Sequence, residues 1–147
     1  MPVLKTIGQH RVVLDTHVWI WTMTADPRLD KRFQFQFEKI LKTQGVLLSP
    51  MSIWELGRLV DKGRIEIDMD VLDWVDQALD TEGLQLHILT PRILIQSTRL
   101  PGLLHGDPVD RLLIATAHEE KAVLVTCDKK ILEYGKDKFI SVYDPSS

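Results

Sequence analysis

The chain of 147 residues carries 18 Lys and Arg against 21 Asp and Glu, a formal charge of -3, and 44% of its residues are hydrophobic. This balance suits one compact domain over residues 1–147 with a sizeable core, and it excludes a protein that coats nucleic acid by bulk positive charge. A single cysteine excludes an internal disulfide, and no apolar run approaches the ~18 residues of a membrane span or forms the h-region of a signal peptide. A soluble, cytoplasmic protein is the expectation.

In chain order, residues 11–14 (RVVL) form the first predicted strand, and THVWIW begins a helical stretch after Asp15. Residues 26–43 are read as helix, although Phe33, Phe35 and Phe37 alternate with period two. The second strand is 46–49. Pro50 then opens a helix carrying Ile53, Trp54, Leu56, Leu59 and Val60, which Gly63 closes. Asp70 caps the next helix, whose Val71, Leu72, Val75 and Leu79 form one stripe before Gly83. A third strand at 84–89 precedes a helix opened by Pro91 and ended before Pro101. Asp107 and Pro108 cap and open a helix over 109–120, whose Leu112, Leu113, Ala115, Thr116 and Ala117 make a packable face. Strands at 122–126 and 139–143 complete the pattern.

The segments VVL, VLL and VLV are continuous apolar runs, as parallel strands covered on both faces require. Five such strands alternating with six or seven helices imply right-handed βαβ crossovers and a three-layer α/β domain around a parallel sheet. No internal repeat or linker divides the chain. In such sheets the site lies at the carboxyl ends of the strands.

Acidic residues mark those ends. Asp15 follows RVVL directly, and Asp128 follows AVLVT after one residue. Glu55 and Asp110 lie on the first turns of the helices opened by Pro50 and Asp107. Taken singly, Asp15 and Asp128 read as helix N-caps and Glu55 as an acid favoured by the helix dipole. Together they make a costly cluster, because two carboxylates about 5 Å apart repel by roughly 3 kcal/mol at an effective dielectric near 20. Either the acids are protonated or a cation holds them. Hard oxygen ligands without Cys or His point to Mg²⁺ or Mn²⁺, and so to metal-dependent phosphoryl transfer or nuclease chemistry.

The segments LDTHVWIW (14–21), SPMSIWELGRLVDKGRIEI (49–67), LTPRIL (89–94), LHGDPVDRLLIATA (104–117) and LVTCD (124–128) resemble, in order, the motifs of PIN-domain ribonucleases. The likeness is closest to the VapC-type toxins of bacterial toxin–antitoxin pairs, and DPxDRLLIATA is its most specific element. The resemblance implies a PIN-like five-stranded sheet of order 3-2-1-4-5 and a homodimer that cleaves single-stranded or looped RNA. It further implies an antitoxin partner that inserts basic residues into the site. It maps Asp15, Glu55, Asp110 and Asp128 onto an acidic quartet that binds the metal and carries the catalysis, with Asp107 as a further acid nearby. Cys127 departs from the pattern, since the family often has a basic residue there.

On this reading a metal-bound water attacks the phosphorus in line and leaves 5′-phosphate and 3′-hydroxyl ends. Asp15 and Asp110 are the principal metal ligands; Asp128 and Glu55 complete the cage or orient the water. Arg111 is poised between a phosphate or acidic neighbour and a solvated helix position. Thr16 and Thr126 could orient a carboxylate or cap backbone, while His17 and His105 read chiefly as structural or surface residues. Cys127 reads as a small buried hydrophobe. Trp19, Trp21, Trp54 and Trp74 lie in apolar helical stretches and suggest core or dimer packing. Arg58, Lys62 and Arg64 could line an RNA path or a solvated face, and Lys129 and Lys130 follow Asp128.

Three alternatives stand beside this reading. A haloacid-dehalogenase-like phosphatase also places an Asp after its first strand, but needs a second Asp where this chain has His17. A Rossmann oxidoreductase lacks its G-x-G-x-x-G. A non-catalytic module could use the acidic pocket to dock RNA or an Arg-rich protein segment.

Overall fold

The computed structural model describes residues 4, 6–102 and 106–146. The elements follow in the order β1 (Val12–Leu14), α1 (Thr16–Thr24), α2 (Lys31–Lys42), β2 (Val46–Leu48), α3 (Pro50–Asp61), α4 (Val71–Leu79), β3 (Leu84–Leu86), α5 (Pro91–Ser97), α6 (Pro108–Glu120), β4 (Val123–Val125), α7 (Lys129–Tyr134), a 3-10 turn (Gly135–Asp137) and β5 (Ser141–Tyr143). All strand pairs are parallel and the sheet order is β3-β2-β1-β4-β5. Val12 pairs with Val46 on one side and Val123 on the other, so the three apolar runs form the centre of the sheet.

The continuous burial of those runs follows from layers on both faces. Val12 and Leu14 join Trp19, Phe33, Ile40 and Leu56 in one core, whereas Val13 joins Leu113, Ile114 and Leu124 in the other. Adjacent residues of one strand therefore enter opposite cores, as the two-residue period demands. The edge strands depart: β3, with its sequence LQL, is partly or fully exposed, and β5 begins with the half-buried Ser141.

The strands are shorter than their sequence spans because side chains at their ends serve the next helix. Ser49 leaves the ladder to accept the Met51 N–H and cap α3. The stretch read as helix from residue 26 begins instead at Lys31: Asp26 caps a turn through the Arg28 N–H and Asp30 caps α2 through the Arg32 N–H. Within α2 the period is helical, since Phe33 and Phe37 are buried four residues apart and Phe35 faces solvent under the Lys39 ammonium. Gly83, before β3, has φ +89, and a Cβ there would lie 2.0 Å from the Leu41 carbonyl oxygen. Close approach of α2 to the edge of the sheet thus requires glycine.

Candidate active site

The carboxyl edge of the sheet is organised around Asp15. Its backbone N–H extends the β1–β4 pairing by donating to the Val125 carbonyl at 3.0 Å. Its Oδ1 then accepts the His17 and Val18 N–H groups at the start of α1, at 2.8 and 3.4 Å. Oδ2 accepts the buried Thr126 hydroxyl at 2.6 Å. The Thr126 oxygen also accepts the Asp128 N–H at 3.0 Å, and Asp128 Oδ1 caps α7 through the Lys130 and Ile131 N–H groups. Asp107 caps α6 in the same manner through Val109 and Asp110. The cap readings of Asp15 and Asp128 are therefore correct, and they coexist with membership of the cluster. One oxygen of each carboxylate fixes a helix start while the group as a whole stays at the sheet edge.

Electrostatics shows which acids face one another. Asp110, half-buried in the first turn of α6, is pushed up to about 7, first by burial and then by the charges of Asp107, Asp128, Asp15 and Glu55, in falling order. Asp15 is raised as well, because burial outweighs the Thr126, His17 and backbone interactions that favour its ionised form. Glu55 is the most weakly coupled member and lies on the second turn of α3, not its first, which excludes the first-turn dipole role. An open cleft of about 410 Å³ is lined by Asp107, Asp110, Asp128, Lys129 and Lys130.

The donors are all carboxylate oxygens, and their mutual repulsion is the field a hard divalent cation relieves. Among the described residues no group of three or more His, Cys, Asp or Glu side chains is drawn together closely enough to hold a metal ion. It is the all-oxygen chemistry of the donors that suits a hard ion such as Mg²⁺, which keeps several of its waters and binds through a few carboxylates.

Other sequence readings resolve differently. Arg111 donates from Nε to the Ser97 carbonyl at 2.8 Å and ties α6 to α5. Thr16 bonds Ser52 at 3.0 Å and joins α1 to α3, so Thr126 alone of the two threonines orients a carboxylate. Trp19 is fully buried with its ring edge-on to Trp74, but Trp54 is 51% exposed beneath the Arg58 guanidinium, so of the core and dimer readings it does not take the core one. His17 is exposed beside Trp21. His105 lies outside the described residues. Cys127 is half-buried, and burial followed by the Asp144 charge pushes its thiol up to about 11, consistent with an inert side chain. Asp144 follows β5 directly, as Asp15 follows β1, but it accepts from the Ser146 N–H and hydroxyl and acts on Cys127, and it does not line the acidic cleft. Lys129 and Lys130, read as unplaced basic residues, line the acidic cleft.

Residues 12–137 match the PIN domain, and the chain belongs to the PIN-domain family. Ribonuclease VapC22 of Mycobacterium tuberculosis is 30% identical over 132 residues, covering 90% of this chain and 98% of the relative. Within the family the chain is of the VapC type. The fold resembles VapBC2 from Rickettsia felis, crystallised with a promoter DNA fragment, at a TM-score of 0.67 with 18% identity over 90% of this chain and 96% of that one. It also resembles FitAcB from Neisseria gonorrhoeae at a TM-score of 0.58, with 15% identity over 91% and 97% of the two chains. Family membership removes the phosphatase and oxidoreductase alternatives.

Proposed function

We propose that this protein is a divalent-metal-dependent endoribonuclease and the toxin of a toxin–antitoxin pair. The observation that carries the reading is the convergence on Asp110 of acids from four separate stretches of chain, at the carboxyl edge where such sheets hold their sites. Asp15 and Asp110 are the principal ligands for Mg²⁺ or Mn²⁺, with Asp128 and Glu55 completing the set and Asp107 adding charge. When bound, the ion polarises the phosphoryl oxygens and lowers the pKa of a coordinated water.

The chain's own residues supply the positioning. Thr126 and two backbone N–H groups hold Asp15 before any ligand arrives, so its carboxylate needs no reorganisation. Lys129 and Lys130 flank the acids and attract the RNA backbone into an otherwise repulsive cleft. Attack of water on phosphorus breaks the P–O3′ bond, leaving a 5′-phosphate and a 3′-hydroxyl. The proton released by the water passes to a cleft carboxylate or to solvent. Incubation of purified protein with a mixed RNA pool and Mg²⁺ or Mn²⁺ should give fragments with those ends and none in EDTA. Wild type that binds but never cuts RNA would turn the reading to a non-catalytic module.

The partner is an antitoxin that neutralises the cleft with Arg or Lys. Removing a cation buried against these acids should weaken the complex by about 2 to 5 kcal/mol; indifference to every such change would exclude this mode of docking. Residues 1–147 act as one domain, and two copies form a homodimer through edge strand β3 and α5, where Leu86, Ile88, Leu94 and Ile95 are exposed. Light scattering should show a dimer that Ile88→Asp with Ile95→Asp converts to monomer. A wild-type monomer would remove this part of the proposal. Among the described residues no helix is long and apolar enough to cross a membrane, and we place the protein in the cytoplasm with its RNA.

A further inference from the structure

A second polar cavity lies at the other end of the sheet. Because all five strands are parallel, the residues after β1 and β4 mark one edge and those at or before the starts of β1, β4 and β5 mark the opposite one. At that opposite edge a cavity of about 360 Å³ has four basic residues in its lining, His10, His118, Lys121 and Lys138, and no acid. Its remaining surface is apolar or hydroxylic, including Ile140 and Ser141.

The acids nearest in sequence are engaged elsewhere. Glu119 pairs with Arg92 at 3.4 Å, and Glu120 pairs with Arg11 at 2.8 Å and His87 at 3.0 Å. The Asp137 carboxylate lies beside Gly102. Among the described residues Lys121, Lys138 and His10 enter no ion pair. His118 stacks on Phe139 at 3.9 Å, and its Nδ1 lies 3.2 Å from the Phe139 carbonyl. A carbonyl only accepts, so Nδ1 carries the hydrogen of this contact.

Lys121 closes α6 at φ 53 and Lys138 closes the 3-10 turn at φ 68. Both residues line the same cavity, at positions where glycine would keep the backbone as it is. Like charges gathered in one concavity repel unless an anion enters, and a concave basic wall concentrates field on a phosphate.

We propose that this cavity is a phosphate-binding site, and that its ligand is a phosphodiester of RNA. This rests on the ribonuclease reading. A protein with a net charge of -3 and an acidic centre has no bulk attraction for a polyanion, so affinity must come from a local cationic surface.

The test measures binding without cleavage. The full chain in EDTA is titrated with a fluorescently labelled 20-nucleotide RNA of mixed sequence at several salt concentrations. The double variant Lys121→Gly with Lys138→Gly removes both amines at positions whose φ suits glycine, so the backbone is retained, as a thermal melt checks. It should bind RNA at least tenfold more weakly, with a salt slope lower by about 0.7 for each phosphate that is no longer neutralised. The corresponding double Arg variant should bind as wild type. Adenosine monophosphate and inorganic phosphate are titrated in parallel. Loss of their binding in the Gly variant with RNA affinity and slope unchanged would assign the cavity to a small phosphate ligand and overturn the RNA proposal. No change toward any of the three would overturn the site itself. Cleavage in Mg²⁺ is scored separately, so an inactive wild type with an intact binding effect would count against the cleft and not against this cavity.

Discussion

The Thr126 hydroxyl donates to Asp15 Oδ2 at 2.6 Å, across the boundary between the central strand and its neighbour. The register that pairs Leu14 with Val125 brings these two residues side by side, and the same hydroxyl oxygen accepts the Asp128 N–H. One buried side chain therefore fixes two acids that are far apart in sequence. Sheet register, helix capping and site geometry meet at this atom.

Thr126→Val keeps the shape and removes both interactions. It leaves a buried N–H at Asp128 without its acceptor, which should cost about 1 to 3 kcal/mol in urea unfolding. Because the Thr126 bond holds the Asp15 pKa down against burial, its loss should raise that pKa further and increase the Mg²⁺ needed for half-maximal cleavage. Thr126→Ser should restore both properties. A Val variant with an unchanged metal requirement would reduce Thr126 to a packing residue.

Asp15→Asn and Asp110→Asn should each abolish RNA cleavage while leaving the circular dichroism spectrum intact. In wild type, metal and proton compete for Asp110, whose carboxyl titrates at about 7 without metal. Apparent metal affinity should therefore rise with pH, about tenfold per unit where one proton is displaced, and level off above pH 7. Full cleavage by both variants at saturating metal would refute the assignment.

The acids were legible because they recur in one grammatical position, just past an apolar strand or at a helix start. The fold was legible because VVL, VLL and VLV have no polar face to give to solvent. What the sequence withheld are pairings between elements. Nothing in DPVDRLL says that Arg111 reaches the Ser97 carbonyl, or in DTHVW that Thr16 turns to Ser52, since each depends on how two helices cross. For Trp54, helical period identifies a stripe but not whether a neighbour covers it. The second cavity was invisible for the same reason: His10, His118, Lys121 and Lys138 belong to three separate stretches and share no motif.

Two glycines should respond in opposite directions to alanine. At Gly83 the new Cβ would collide with the Leu41 carbonyl at a positive φ, so Gly83→Ala should destabilise by about 2 to 4 kcal/mol. Gly57 lies within α3 with nothing within 4 Å of its Cβ position, so Gly57→Ala should stabilise by roughly 0.5 to 1 kcal/mol. Urea midpoints of the two variants check both signs, and equal responses would contradict the close approach of α2 to β3.

Removal of one cleft charge should stabilise the metal-free protein. Asp110 has its folded pKa raised to about 7, above the ~3.9 of an unfolded Asp. Between those values the folded state holds a proton that the unfolded state has released, so stability falls as pH rises across this window. The favourable contribution is complete below about pH 4 and lost above about pH 7, the reverse of a salt-bridged carboxylate. Asp110 is half-exposed to a wet cleft, and solvent screening reduces the effect to the order of 1 to 2 kcal/mol. Asp110→Asn keeps the shape without the charge, so in EDTA it should melt above wild type at pH 7.5 and converge with it near pH 4. Mg²⁺ should reverse the order: at 100 times its dissociation constant it adds about 2.7 kcal/mol to wild type through native-state binding and much less to the variant. Thermal melts of both proteins at the two pH values, with EDTA and with Mg²⁺, decide the matter. An Asn variant that melts below wild type in EDTA and responds equally to Mg²⁺ would make Asp110 a structural residue of the first turn of α6, outside any repulsive metal-binding cluster.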